Sequence, residues 1–230
     1  MAQVIMGPAM LIVLCCCLVT VTPFTEEQLL RATNYIRQHL TGRINNQYAY
    51  IAVFTTAQCR ELTDANLRDA LRQENADDLM TTIEQHRIYI GTQIVAASFL
   101  RLNNGGAMHA EARLLNGEGE APSPVADLLN RNQDKGCVLF YTLNSPCTGV
   151  CARIGGEYNI LDRLTDVFNR INNKALVYND VYIGDLNRKP DTVWDAWKEI
   201  NARIPFYRCF SRNCYRCFIN NNPNNPCYYN

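Results

Sequence analysis

The stretch Cys137-Val-Leu-Phe-Tyr-Thr-Leu143 is a short uncharged apolar run that continues directly into Asn144-Ser-Pro-Cys147. An apolar run of this length predicts a strand that is buried on both faces of a sheet. Such a strand delivers Pro146 and Cys147 at its carboxyl end. Because open α/β sheets bind ligands at that edge, the residues after the strand are candidate site residues.

Two further pieces of sequence complete a pattern with Cys147: Met108-His-Ala-Glu111, and Cys151 four residues downstream. One imidazole and two thiolates are ligands that Zn²⁺ prefers, and they leave a fourth position open for water. We therefore predict His109, Cys147 and Cys151 as zinc ligands. Glu111 lies two residues beyond the histidine, so it can sit beside that water without binding the metal, and we predict it as the catalytic residue.

Local structure supports this pattern. A helix over about residues 107–116 would hold His109 and Glu111 in its first turn, with diverging side chains. A second helix starting around Cys147 would place both thiols on one face, one turn apart. The alternative is that His109 is an ordinary polar helix residue, while the two cysteines form a disulfide or pack in the core.

The order His-x-Glu, a gap and then Pro-Cys-x-x-x-Cys resembles the cytidine deaminase superfamily, and more closely the AID/APOBEC-like polynucleotide deaminases and their secreted vertebrate relatives. The resemblance covers roughly residues 45–205. It implies a zinc-dependent hydrolase that deaminates cytosine to uracil, free or within single-stranded DNA or RNA, with Glu111 as the proton shuttle. It also implies a role in immune defence.

The resemblance extends to the substrate pocket. Residues 175–180 are similar to the strand and loop that close that pocket, which implies that Tyr178 lies against the target base; a plain core tyrosine is the alternative. Ala110, Ser145 and Pro146 flank the motif residues and are implied as further substrate contacts. The family usually has Ser-Trp-Ser/Thr before Pro-Cys. Here the sequence is Leu143-Asn-Ser145, so a pocket tryptophan is replaced by a small amide, which bears on substrate identity.

The alternation of β-rich and amphipathic segments predicts an α/β fold, in which a mixed five-stranded sheet carries helices on both faces. We assign this domain to residues 23–205, with a helical insertion at 61–86 between the first two strands. The β-rich segments are residues 48–54, 87–102, 137–143 and 174–183, and the other predicted helices are residues 25–40, 158–171 and 192–204.

The chain begins with an apolar segment, and residues 9–21 contain no charge. This run is short for a membrane span and stands at the start of the chain, so we interpret residues 1–22 as a signal peptide of a secreted protein. An uncleaved N-terminal anchor is the alternative. We expect no stable membrane association of the mature chain.

Cysteine usage agrees with export. Of eleven cysteines, three lie in the leader and two are the predicted ligands. The remaining six allow three disulfides, with fifteen pairings open: Cys59, Cys137, Cys209, Cys214, Cys217 and Cys227. Four of them fall in residues 206–230, which we predict to be a disulfide-rich C-terminal tail appended to the domain. The spacing of Cys214 and Cys217 also fits a second zinc site, which is the alternative.

The charge balance bears on nucleic-acid binding. The chain has 22 Lys and Arg against 22 Asp and Glu, a formal net charge of zero, which argues against strongly electrostatic binding to phosphates. Arginines alternate with aromatic residues over 203–218, a pattern that suits single-stranded nucleic acid. The interpretation we favour is a disulfide-bonded cap whose aromatic side chains pack on the domain.

Two hypotheses of other classes remain. The chain would be a catalytically inactive secreted binding protein if the zinc served as a structural staple. Retention of Glu111 argues against this, because a structural site has no need of a carboxylate outside the ligand set. The chain would be a disulfide-rich extracellular module if no zinc bound, and all eight mature cysteines would then be oxidised.

Overall fold

The computed structural model describes residues 23–44, 46–103, 105–119 and 121–229. The predicted signal peptide, residues 1–22, lies outside the described residues. The strands are β1 (Tyr48–Phe54), β2 (Tyr89–Ile90), β3 (Ile94–Ser98), β4 (Leu100–Arg101), β5 (Ala107–Met108), β6 (Cys137–Asn144), β7 (Lys174–Asp180), β8 (Phe206–Phe210), β9 (Asn213–Arg216), β10 (Phe218–Ile219) and β11 (Asn222–Pro223).

Seven of these strands form one mixed sheet in the order β2-β3-β1-β6-β7-β8-β9. The pairs β6–β7 and β7–β8 are parallel, and the other neighbours are antiparallel. The predicted buried strand is therefore β6, at the centre of the sheet. Its carboxyl end releases the chain into Pro146 and Cys147, as the sequence predicts.

Helices cover both faces of this sheet. They are α1 (Glu26–Ile36), α2 (Thr56–Arg60), α3 (Asp64–Ala70), α4 (Ala76–Glu84), α5 (Ala110–Asn116), α6 (Pro124–Arg131), α7 (Leu161–Phe168), α8 (Ile183–Leu186) and α9 (Pro190–Asn201), with a π-helical turn at Arg37–Thr41 and a 3₁₀ turn at Asn225–Cys227. Within the described chain, no helix combines the length and the apolar character that crossing a bilayer requires.

Strand alternation divides the core into two halves. In the paired strands β1 and β6, Ile51 and Phe140 belong to the half that α5, α6, α7 and α9 cover. Tyr50 and Tyr141 belong to the other half, which α1 to α4 cover. Because successive side chains of a strand point to opposite faces, a strand that is apolar throughout serves both halves. The predicted mixed α/β sheet with helices on both faces is confirmed.

The sheet has seven strands rather than the expected five, because residues of the expected tail extend it. β8 pairs in parallel with β7, and β9 returns antiparallel to β8. The expected boundary between residues 205 and 206 therefore falls at the entry to a strand of the main sheet. The aromatic residues in Phe206-Tyr-Arg-Cys-Phe210 favour a strand, whereas the density of cysteines in this region favours an appendage.

All six disulfide candidates are paired in the structure. Cys59–Cys137 ties α2 to the start of β6, Cys209–Cys214 bridges the β8–β9 hairpin, and Cys217–Cys227 closes the last loop. Because Cys214 and Cys217 belong to different disulfides, the alternative of a second zinc site between them is wrong.

The tail packs on the domain. Trp194 meets the ring of Phe218 edge-on, with centroids 5.6 Å apart, and Trp197 lies 5.9 Å from Tyr228. The buried Arg208 guanidinium donates to the backbone carbonyls of Asn179 and Pro226, each at 3.1 Å. The favoured interpretation of the tail as a packed cap therefore fits these contacts, and Arg208 is engaged inside the protein.

Candidate metal and catalytic site

Three side chains converge at the carboxyl edge of β6. His109 Nδ1 lies 3.5 Å from Cys147 Sγ and 3.2 Å from Cys151 Sγ. All ligand atoms of these three residues lie within 4.8 Å of one another, and no other such group of His, Cys, Asp or Glu occurs in the described part of the chain. The structure thus brings together all three residues predicted as zinc ligands.

The donor set and its spacing fit zinc. Bonds of about 2.0 Å to nitrogen and about 2.3 Å to sulfur in a tetrahedron separate neighbouring ligand atoms by roughly 3.5–3.8 Å. The His–Cys distances lie close to that range. Cys147 and Cys151 are also the two described cysteines outside any disulfide, and both are buried. The alternative that they pair with each other is therefore wrong for this structure.

The electrostatics of the cluster favour metal binding. A hydrogen bond from Cys151 lowers the pKa of Cys147 to about 4, and His109 acts in the same direction. The same Cys–Cys contact, together with burial, raises the pKa of Cys151. Cys147 therefore favours the thiolate form, in which cysteine binds metals. Because thiol ligands bind as thiolates, a bound cation would displace the proton of Cys151.

The segment between the cysteines forms consecutive turns over residues 148–152, so the expected helix from Cys147 is wrong. Its backbone is satisfied otherwise: the N–H of Ala152 donates to the carbonyl of Cys147 at 3.0 Å, and the N–H of Thr148 donates to the Asp185 carboxylate. Gly149 and the β-branched residues beside it also have low helix propensity. The two thiols meet through this turn rather than through helical spacing.

Asp185 of α8 holds this turn in place. Its buried carboxylate accepts from the Thr148 N–H at 3.1 Å and from the Thr148 hydroxyl at 2.7 Å, and it pairs with Arg188 at 3.2 Å. Thr148 directly follows Cys147, a predicted zinc ligand. The carboxylate therefore fixes the backbone that carries one of the thiolates.

Replacing Asp185 with asparagine is expected to weaken zinc binding about 10-fold, a typical loss when a residue that orients a metal ligand is changed. The measurement is competition for zinc against a chromophoric chelator. Asp195→Asn on the exposed side of α9 makes the same chemical change away from the turn and serves as the control. Equal zinc affinity in both variants would show that Asp185 does not support the ligand turn.

The motif helix α5 starts at Ala110, later than the expected residue 107. Ala107 and Met108 instead pair with β4, and His109 occupies the N-cap position with an extended backbone (φ −74°, ψ 156°). Strand pairing before the histidine prevails over helix extension. As a result, His109 precedes the helix and contacts both cysteines, while Glu111 sits in the first turn.

Glu111 is buried beside the cluster of His109, Cys147 and Cys151. Its Oε1 accepts a hydrogen bond of 2.8 Å from the Thr142 hydroxyl, whereas its Oε2 has no hydrogen-bond partner among the described residues. Burial raises the pKa of this carboxyl, and the neighbouring His109 opposes the increase. A carboxyl with a raised pKa accepts and returns a proton more readily near neutral pH.

A cavity of about 190 Å³ opens above these residues. Its lining residues are Gln47, Phe99, Ala107, His109, Glu111, Asn144, Ser145, Cys147 and Tyr182. Ser145, one of the residues implied as substrate contacts, therefore lies on the cavity. Ala110 and Pro146 are buried beside it and do not line it.

Tyr178 does not line the cavity. It is fully buried, its ring stacks on Phe206 at 4.9 Å, and its hydroxyl donates to the carbonyl of Cys227 at 2.5 Å. The structure thus places it as a core tyrosine, the alternative left open by the sequence. Tyr182, four residues further along, takes the place on the cavity wall; its position just past the carboxyl end of β7 is the sequence signal for that role.

Gln47, Phe99 and Thr142 were not identified from the sequence. Gln47 directly precedes β1, and Phe99 lies between β3 and β4. Neither carries a motif, so their place at the site depends on sheet register. Thr142 lies in β6 two positions after Phe140. The alternation of side chains along a strand therefore indicates that Thr142 and Phe140 face the same side of the sheet.

A family model described as Secreted Novel AID/APOBEC-like Deaminase 2 matches residues 29–227. The chain belongs to this family. The match contains the His-Cys-Cys cluster and Glu111, and it continues through the tail to Cys227. No curated protein and no solved structure matches the chain. The resemblance to AID/APOBEC-like deaminases is confirmed, and the family description, like the three disulfides, fits an extracellular protein.

Proposed function

We propose that the chain is a secreted zinc-dependent hydrolase that deaminates cytosine to uracil, in single-stranded nucleic acid or in nucleosides, and that it acts in immune defence. The observation that carries this proposal is the position of Glu111. Its Oε2 lies buried beside the cluster of His109, Cys147 and Cys151. Glu111, His109 and Cys147 also line the cavity.

The roles of the residues follow from their placement. His109, Cys147 and Cys151 would hold the zinc, which supplies Lewis-acid activation of water near neutral pH. Glu111 accepts a proton from the attacking water and delivers it to the amino group at C4 of the base. A C–O bond forms at C4, the C–N bond breaks and ammonia leaves, so Glu111 ends in its starting state.

The cavity suits one base. Its volume is below the range of roughly 300–1,000 Å³ that drug-sized ligands occupy. Phe99 and Tyr182 provide aromatic walls, while Gln47, Asn144 and Ser145 provide polar groups. A cytosine that is free or turned out of a single strand has both an apolar face and a polar edge for such a site. Because the net charge is zero, contacts with the base carry more of the affinity than contacts with phosphates.

The proposal is tested on the mature chain, residues 23–230, produced through a secretory route. We expect about one zinc per molecule in wild type and none in Cys147→Ser, since a structural or catalytic zinc site needs its thiolate ligands. Cytidine, deoxycytidine and cytosine-containing single strands are then assayed for ammonia release. Asp195→Asn, which leaves the ligands intact, is the matched control.

Each outcome assigns a class. Zinc with turnover that Cys147→Ser abolishes supports the deaminase. Zinc without turnover of any of these substrates supports the alternative of an inactive binding protein with a structural zinc. A folded chain without zinc, whose eight mature cysteines are all oxidised, supports the extracellular module.

A further inference from the structure

The two oxygens of the Glu111 carboxylate have different environments. Oε1 accepts from the Thr142 hydroxyl at 2.8 Å. Oε2 has no hydrogen-bond partner among the described residues, and Glu111 lines the cavity. Since the whole side chain is buried, its orientation is set by protein contacts rather than by bulk water. The anchored oxygen therefore determines where the other one points.

Thr142 is itself oriented by Gln47. The Gln47 amide Nε2 donates to the Thr142 hydroxyl oxygen at 3.0 Å, and its Oε1 accepts from the Asn144 N–H at 3.1 Å. The Thr142 oxygen already receives this hydrogen bond, so its own proton is available for donation. Two acceptors lie within reach: Glu111 Oε1 at 2.8 Å and the Asn144 carbonyl at 3.0 Å.

The sheet brings these groups together. Thr142 is fully buried in β6, opposite Ala49 of β1, and Gln47 lies two residues before Ala49 in the chain. The hydrogen bonds thus run from the segment before β1, across β6, to the motif helix α5. In buried surroundings such bonds are stronger than in water, and a missing partner costs more.

We propose that Thr142 and Gln47 are positioning residues, which anchor Oε1 of Glu111 so that Oε2 is directed at the reacting base and water. This inference rests on the proposed deaminase function. Thr142 acts through Glu111, and Gln47, which also lines the cavity, acts on Glu111 through Thr142. An error of about 1 Å in the place of a catalytic group can lower a rate about 100-fold.

Thr142→Val removes the hydroxyl while keeping the shape of the side chain. We expect kcat to fall about 10-fold to 100-fold, with KM and zinc content unchanged, because the carboxylate loses its anchor but the cavity keeps its walls. Thr142→Ser keeps a hydroxyl and is expected to restore most of kcat. Gln47→Leu is expected to lower kcat in the same direction, because the Thr142 hydroxyl then loses the hydrogen bond that orients it. Only kcat is compared for this variant, since Gln47 also lines the cavity.

A crystal structure of zinc-loaded Thr142→Val gives a readout that needs no turnover. We expect the Glu111 carboxylate to leave the orientation seen here, and wild type to keep it. An unchanged Glu111 together with unchanged kcat would overturn the proposal, as would an equal loss in the Val and Ser variants. If wild type binds zinc but deaminates nothing, the deaminase function fails, while the crystal structures still decide whether Thr142 orients Glu111.

Discussion

Glu111→Gln is expected to lose turnover by about 100-fold to 10,000-fold while keeping its full zinc content. General acid–base catalysis by a positioned side chain contributes a factor of this size. Glutamine keeps the shape and the Thr142 contact but cannot accept and return a proton. Because the three zinc ligands are unaltered, metal binding and folding should stay as in wild type. Ammonia release and metal analysis on the same sample measure both quantities.

The control for this prediction is Glu84→Gln, the same change on the exposed side of α4. It should match wild type in turnover and in zinc. Turnover retained in Glu111→Gln would contradict the proton-shuttle role. Loss of zinc in this variant would instead show that Glu111 supports metal binding. Its role would then be structural rather than catalytic.

The convergence of His109, Cys147 and Cys151 was predictable because the pattern depends on few residues with distinct side chains. Imidazole, thiolate and carboxylate groups have the same metal-binding and proton-transfer chemistry in any backbone conformation. His109, Glu111, Cys147 and Cys151 could therefore be predicted from the sequence pattern alone. The helix expected from Cys147 was wrong, since Asp185 binds the Thr148 N–H from a distant part of the chain. Spacing in sequence does not report such a partner.

The substrate side of the cavity was less predictable for the same reason. By their positions in the chain, both Tyr178 and Tyr182 are plausible residues of the cavity wall. Tyr178 is excluded from the wall because its side chain lies in the core, where its hydroxyl donates to the Cys227 carbonyl of the tail. Likewise, the apolar strands predicted the α/β sheet. They did not predict strands β8 and β9, because the sequence of residues 206–230 is also compatible with a disulfide-bonded appendage. The pairing of β8 with β7 decides between a strand and an appendage, both of which are compatible with the local sequence.

Deleting residues 206–230 is expected to prevent folding of the remaining chain, 23–205. The deletion removes β8 and β9 and leaves β7 as an unpaired apolar edge, which favours aggregation. It also removes the buried aromatic residues Phe206, Phe218 and Tyr228, each contributing on the order of 2 kcal/mol. A total of this size is comparable to the stability of a typical domain, about 5–15 kcal/mol. Secreted yield, circular dichroism and thermal unfolding of both chains provide the measurement.

The matched control is full length with Cys209 and Cys214 both changed to alanine. It keeps both strands and loses a disulfide that closes a short loop, so it should fold with a stability lower by about 2 kcal/mol. A truncated chain that unfolds cooperatively near the melting temperature of the full-length protein would establish the tail as a separable appendage. Failure of the truncation alone would show that the strands, rather than the hairpin disulfide, make the tail part of the domain. The candidate zinc site would then depend on the tail as well, since Tyr228 donates to the carbonyl of Asp185, whose carboxylate holds the turn between Cys147 and Cys151.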